Sequence, residues 1–192
     1  MKKATLLFLV IASVRIAEGA PTLDSGPNPD PGSTNLVQIA RSAVTLDAVA
    51  VSFGESRDHI DIYRLGLRSD FGRSWIYGNL SGFFEASANY WNKQGDEVFG
   101  AALSPVFVLQ PKLGLGEWRP YVDGGIGAAC ISKTKIADRD MSSLFQFEDR
   151  VGLGVKWRML DLNVGYLHYS NANLAKPNQG IDIYIAMFTY TF

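Results

Sequence analysis

From Ser42 to Phe192 the sequence alternates apolar and polar residues in segments of about ten, broken at intervals by Gly, Asn, Asp and Ser. Period-two alternation gives a strand two chemically different faces. About ten residues is also the length that a tilted strand needs to cross a bilayer. Eight such segments stand out, at 43–53, 60–70, 80–91, 101–110, 120–131, 145–157, 160–169 and 182–192. No stretch approaches the roughly 18 consecutive apolar residues of a membrane helix. The expected fold is all-β: an eight-stranded antiparallel transmembrane β-barrel over residues 42–192.

The joins support this reading. The second (around Gly72-Arg73-Ser74), the fourth (Gly114-Leu115-Gly116) and the sixth (Arg158-Met159) look short. The odd joins, at 54–58, 92–97, 132–143 and 171–180, are polar and read as the longer loops. Short turns at one end and longer loops at the other are the outer-membrane arrangement. Aromatics gather at both ends: Trp75, Trp118, Trp157 and Phe192 by the short turns, Tyr90 and Trp91 by the loops. Two such girdles suit a barrel in lipid.

Parity sorts the polar side chains. Tyr63, Leu65 and Leu67 oppose Arg64 and Arg68; Phe84, Ala86, Ala88 and Tyr90 oppose Glu85, Ser87 and Asn89. In 145–157, Phe147, Val151, Leu153, Val155 and Trp157 oppose Gln146, Glu148 and Arg150, with Asp149 interrupting the apolar face near the loop end. Asp123 joins the polar face. Three arginines and three carboxylates on one face are expected to pair inside a closed barrel, since buried charges need partners. The larger apolar set then faces lipid, opposite to a water-soluble barrel. An eight-stranded interior is just filled by side chains, so a transport pathway is not expected.

Residues 1–20 read as an export signal, with a basic Met1-Lys2-Lys3 start, an apolar run and small residues around Ala17-Glu18-Gly19. Residues 21–41 read as a flexible leader; four prolines fall in 21–35. A net charge of -1 leaves no electrostatic footprint for nucleic acid. The single cysteine, Cys130, excludes an internal disulfide and reads as a small buried or lipid-facing side chain. No ligand spacing suggests a metal.

Of the two histidines, His59 falls in the first loop and reads as solvated. His168 is followed two residues later by Ser170. On a strand, i and i+2 share a face, so the two can form the base–nucleophile pair of a hydrolase. With odd strands running outward, Leu162, Val164, Tyr166, His168 and Ser170 lie on the lipid side and end at the outer-leaflet rim. Asp182, with the parity of Tyr184 and Phe188, starts the next strand from the same rim. A Ser, a His and an Asp are thus expected to meet on the exterior. The plainer alternative puts all three above the apolar band, facing water.

The segment His168-Tyr169-Ser170-Asn171-Ala172-Asn173, followed by Lys176-Pro177-Asn178-Gln179-Gly180-Ile181-Asp182, resembles the signature of the lipid A 3-O-deacylase (PagL) family. Tyr63-Arg64-Leu65-Gly66-Leu67, Ser104-Pro105-Val106-Phe107-Val108, Gly124-Gly125-Ile126-Gly127 and Phe147-Glu148-Asp149-Arg150 are similar too, and the resemblance spans residues 43–192. It implies an outer-membrane enzyme that hydrolyses the 3-position acyl ester of lipid A, releasing a 3-hydroxy fatty acid. Its partner is lipopolysaccharide in the outer leaflet, and no cofactor is implied. Carried over, Ser170 is the nucleophile, His168 the general base, and Asp182 stands where the family pattern has glutamate. Asn178, with a backbone N–H near Asn171 to Asn173, is the candidate oxyanion donor; ordinary turn chemistry is the other reading of Asn171 and Asn173. A C-terminal alternating strand ending on Phe192 likewise resembles the assembly signal of outer-membrane proteins. The competing function is a non-enzymatic small barrel, an adhesin or surface-interaction protein, because fold alone does not decide function. A palmitoyl-transferase would want an apolar internal pocket, and the expected lumen is charged.

Overall fold

The structure is a computed structural model that describes residues 45–71 and 74–192. The expected signal and leader, and Gly72 and Arg73 of the second join, lie outside the described residues. Eight long strands close into a barrel: β1 (Ala48–Ser56), β2 (Asp61–Asp70), β3 (Leu80–Lys93), β4 (Asp96–Leu109), β5 (Trp118–Ile131), β8 (Phe145–Trp157), β9 (Leu160–Ser170) and β10 (Ile181–Thr191). A two-stranded hairpin of β6 (Lys135–Ile136) and β7 (Arg139–Asp140) sits in the loop between β5 and β8. Each long strand pairs antiparallel with its neighbours, and β1 closes on β10 with Ala48 opposite Thr191. Closure removes every unpaired sheet edge, which a chain in lipid requires.

Alternation sets the faces as expected. In β2, Tyr63, Leu65 and Leu67 point out and are exposed, while Ile62, Arg64 and Arg68 are buried. Outside, Trp75, Trp118 and Phe192 are exposed at the turn end. Cys130 is also exposed, facing out. Trp91 departs from the expected girdle: it is buried in the lumen, its ring 5.0 Å from that of Tyr169. The reason is parity. Tyr90 and Trp91 are consecutive, so only one can face lipid, and Trp91 shares its face with the inward Glu85, Ser87 and Asn89.

Two other expectations shift. The join of β3 and β4 is a tight turn at Gln94 and Gly95, not a longer loop, and β4 begins at Asp96 rather than near 101. Both turn residues have positive φ, 53° and 93°, the geometry that two-residue hairpins need. The first strand begins at Ala48, later than the alternation suggested.

The lumen is layered. At its middle, Arg64 donates to Glu85 Oε1 at 2.8 Å and to Glu148 Oε2 at 2.5 Å. Arg68 reaches Glu85 Oε2 at 2.7 Å, and Arg150 reaches Asp123 Oδ2 at 2.9 Å. Asp161, absent from the expected set, also faces in and accepts a hydrogen bond from Tyr121 at 2.6 Å. Toward the loops the lumen becomes apolar, with Ile62, Trp91, Val98, Leu167, Ile181 and Ile183 packed together. Charge network and apolar plug fill the interior, as eight strands dictate.

Candidate active site

The site follows from where β9 ends and β10 begins. Leu162, Val164, Tyr166, His168 and Ser170 alternate outward along β9, and Leu167 and Tyr169 inward. Register places Asp182 of β10 directly across from His168, and Asp149 of β8 across from it on the other side. Three ionisable groups therefore form one row on the lipid face, with neighbouring strands about 4.8 Å apart. Ser170 lies opposite Phe147.

His168 Nδ1 is 2.7 Å from Asp182 Oδ1. An ionised carboxylate only accepts, so Nδ1 carries the proton, and in the neutral ring the lone pair is on Nε2. Tyr166 donates its hydroxyl to the same Asp182 oxygen at 2.5 Å. Both partners are partly solvated: the His168 side chain is 34% exposed and that of Asp182 27%. Ser170 is half-buried on the same face, and among the described residues no hydrogen bond joins it to His168. The structure thus brings the histidine and the acid together, with the serine beside them but unbonded.

The loop from β9 to β10 is folded back on itself. Asn171 is buried; its Nδ2 donates to Met141 O at 2.8 Å and to Ala175 O at 3.1 Å. Its backbone N–H donates to Asn178 Oδ1 at 3.1 Å. Asn171 is therefore an anchor whose donors are occupied, which leaves the Nδ2 end of Asn178 as the donor this pair presents. Ala172 and Asn173 form the tip of a turn closed by Leu174 N to Asn171 O at 3.0 Å, both with positive φ. Among the described residues their N–H groups have no protein acceptor. Gly180 has φ +57°, and a Cβ there would come within 3.1 Å of His168 Cε1. Glycine is favoured there both by the left-handed backbone and by the imidazole packed on it.

Two further loops brace this one. Arg139 of the β6–β7 hairpin donates to Gln179 O at 3.0 Å and Gly180 O at 2.7 Å, and it pairs with Asp58. The hydrogen bond from Arg139 holds the Asp58 carboxyl below its ordinary value. Ser142 donates to Pro177 O at 2.5 Å. His59 is solvated as expected, its Nδ1 against Glu55.

Membrane-ward of Asp182, an open groove of about 1000 Å³ runs over the exterior of β8, β9, β10, β1 and β2. Phe53, Tyr63, Leu153, Val164 and Tyr166 wall it, and the small Ala186 forms its floor. Among the described residues no group of three or more His, Cys, Asp and Glu side chains could hold a metal ion.

Sequence reasoning missed Tyr166 and the place of Asp149. Asp149 was visible as a charge on an apolar face, but its place beside His168 needs the β8–β9 register. Tyr166 is legible in the sequence only as one of the outward residues of its strand.

Known proteins resemble this chain in sequence and in fold. The profile of the family described as lipid A 3-O-deacylase (PagL) matches residues 61–191. The lipid A deacylase PagL of Pseudomonas aeruginosa is 39% identical over 129 residues, covering 64% of this chain and 73% of that protein. Its namesake from Bordetella bronchiseptica is 37% identical over 127 residues, covering 64% of this chain and 67% of that protein. The crystal structure of the outer membrane enzyme PagL superposes with a TM-score of 0.71 at 31% identity, covering 76% of this chain and 99% of that chain. With the family profile matching residues 61–191 and the fold superposing on the crystal structure of PagL, the chain belongs to the lipid A 3-O-deacylase (PagL) family.

Proposed function

We propose that this barrel is an outer-membrane lipid A 3-O-deacylase working as a serine esterase. The observation that carries the mechanism is the 2.7 Å contact of His168 Nδ1 with Asp182 on the lipid face, with Ser170 two residues along on the same face. Lipid A diffuses laterally to the barrel wall, and its 3-position ester comes to the rim. Ser170 Oγ attacks the ester carbonyl carbon while His168 Nε2 takes the hydroxyl proton. In an unliganded site such a contact is often open and tightens on substrate binding. Asp182 orients the imidazole and stabilises it when charged.

The tetrahedral oxyanion is held by Asn178 Nδ2 and by an N–H of the turn at Ala172 and Asn173, with Asn171 keeping Asn178 in place. Collapse expels the sugar 3-hydroxyl, which leaves with the proton from His168. Water, deprotonated by His168, then frees the 3-hydroxy fatty acid from Ser170. The groove below Tyr166 offers the acyl chain an apolar bed. Residues 1–20 direct export and 21–41 form the leader.

The test is to express the chain in a lipopolysaccharide-bearing host and read lipid A by mass spectrometry. Wild type should produce lipid A lacking one 3-hydroxyacyl group, whereas Ser170→Ala and His168→Ala should leave it intact while migrating as folded barrels. Deacylation by either folded variant would sink the serine mechanism. Intact lipid A with wild type, across detergents and divalent cations in vitro, would instead favour a non-enzymatic barrel.

A further inference from the structure

We propose that Tyr166 is a positioning residue: its hydroxyl shares one oxygen of Asp182 with the His168 imidazole and so holds this short acid in the orientation the general base needs. The inference rests on the serine-esterase reading above.

Without a further partner, Asp182 would be free to turn. Rotation about its terminal torsion is broad and roughly two-fold. With a side chain 27% exposed against an imidazole 34% exposed, the pair is only partly shielded from water. A partly solvated ion pair is a weak determinant of geometry, because water competes and the side chains lose entropy. Something else must select the rotamer that faces His168.

The register supplies it. Tyr166 precedes His168 by two residues and so shares its face of β9, diagonal to Asp182 on β10. Its hydroxyl lies 2.5 Å from Asp182 Oδ1, the oxygen that also accepts from His168 Nδ1 at 2.7 Å. Donors from two successive outward positions of one strand converge on one oxygen of the next. The phenol is itself braced. Tyr184 stands directly opposite, its ring 5.8 Å away and edge-on, and Arg57 donates to the Tyr184 hydroxyl at 3.3 Å.

A tyrosine at a membrane rim ordinarily keeps its ring in the apolar layer and its hydroxyl toward headgroups and water. Here the ring does line the groove, but the hydroxyl is committed to a carboxylate. The other charged groups nearby do not replace it. Asp149 flanks His168 from β8 and has no donor to offer Asp182, and Arg57 donates to Tyr184.

The experiment is a double-mutant cycle on the purified full-length barrel in detergent, with Tyr166→Phe, Asp182→Asn and both together. Two rates are read: labelling of Ser170 by a fluorophosphonate, which needs no lipid, and kcat and KM on purified lipopolysaccharide. Tyr166→Phe should slow labelling and kcat by about tenfold, the scale of one hydrogen bond, with KM within about twofold. In the Asp182→Asn background the same change should matter by less than about twofold, because the acid it serves is gone.

Three results would overturn the proposal: labelling at the wild-type rate, the full tenfold cost again in the Asn background, or a rise in KM alone. The last would make Tyr166 a wall of the groove and nothing more. If wild type itself resists labelling while Ser170→Ala still deacylates, the serine-esterase reading falls and takes this proposal with it. Normal labelling in wild type with no effect of Tyr166→Phe defeats only the proposal. Heat-modifiable gel migration verifies that each variant is a folded barrel.

Discussion

Along β8, Glu148 and Arg150 point into the lumen while Asp149, between them, points out toward His168. The two faces of this one strand hold ionisable groups under opposite rules. Inside, Arg64, Glu85, Glu148 and Arg150 have side chains no more than 2% exposed, and each guanidinium is matched to carboxylates. Removed from water, such groups are tolerable only as a complete set. At the rim, His168 and Asp182 keep about a third of their surface. The imidazole is bonded at Nδ1 only, and its Nε2 is left for chemistry. The contrast teaches that burial with full pairing marks scaffold in this barrel, and partial exposure with a spare lone pair marks the place where protons can move.

Breaking the scaffold should cost stability and spare chemistry. Glu85 accepts from Arg64, Arg68 and Arg150, so Glu85→Ala leaves three guanidiniums short of a partner. We expect it to destabilise the barrel by about 3–5 kcal/mol, read by urea unfolding in lipid vesicles. The molecules that remain folded should keep wild-type kcat. A stable Glu85→Ala barrel, or one folded but inactive, would erase the distinction between the two faces.

Breaking the rim should do the reverse. Asp182→Ala is expected to lower kcat substantially, though less than loss of Ser170 or His168, with the urea midpoint unmoved. Full activity in that variant would remove Asp182 from the mechanism. Asp182→Glu sharpens the point, since the family pattern has glutamate there. It should retain activity if the acid acts only by orienting His168.

The smallest effect concerns the clasp of loops above the rim. The Asp58 carboxyl is depressed, chiefly by its hydrogen bond from Arg139. A depressed carboxyl contributes stability above its unfolded value, about 3.9, and loses it as pH falls through the folded value. Protection of the amides in residues 132–144, the slowing of exchange relative to the unstructured chain at the same pH, should therefore be high at neutral pH and fall below about pH 4. Arg139→Ala should lower that protection at both, with a modest fall in kcat as Gly180 loses its brace.

How far the sequence could be read differs from residue to residue. The inward set of Arg64, Glu85, Asp123, Glu148 and Arg150 was legible because side-chain direction in a strand has period two and tolerates no drift. Trp91 was legible by the same rule and was misread as a girdle residue from its type, although Glu85, Ser87 and Asn89 already assign its face. The early start of β4 was hidden because Gln94-Gly95 resembles any polar loop until its left-handed geometry is seen. Asn171 was chosen for its chemistry, and its burial against Met141 O depends on a loop more than twenty residues away in sequence.

Sequence alone thus determined that His168 and Ser170 share the outward face at the end of one strand, because alternation requires it. It also determined that Asp182 begins the next strand on the same face. Whether the histidine meets the acid was decided only by tertiary structure. A slip of one residue between β9 and β10 would set Ile181 or Ile183 opposite His168 and turn the faces over. Closure of the barrel forbids that slip, since β10 must also register with β1 from Ile183 to Thr191. The same register brings Tyr166 within reach of Asp182, a contact no spacing in the chain announces.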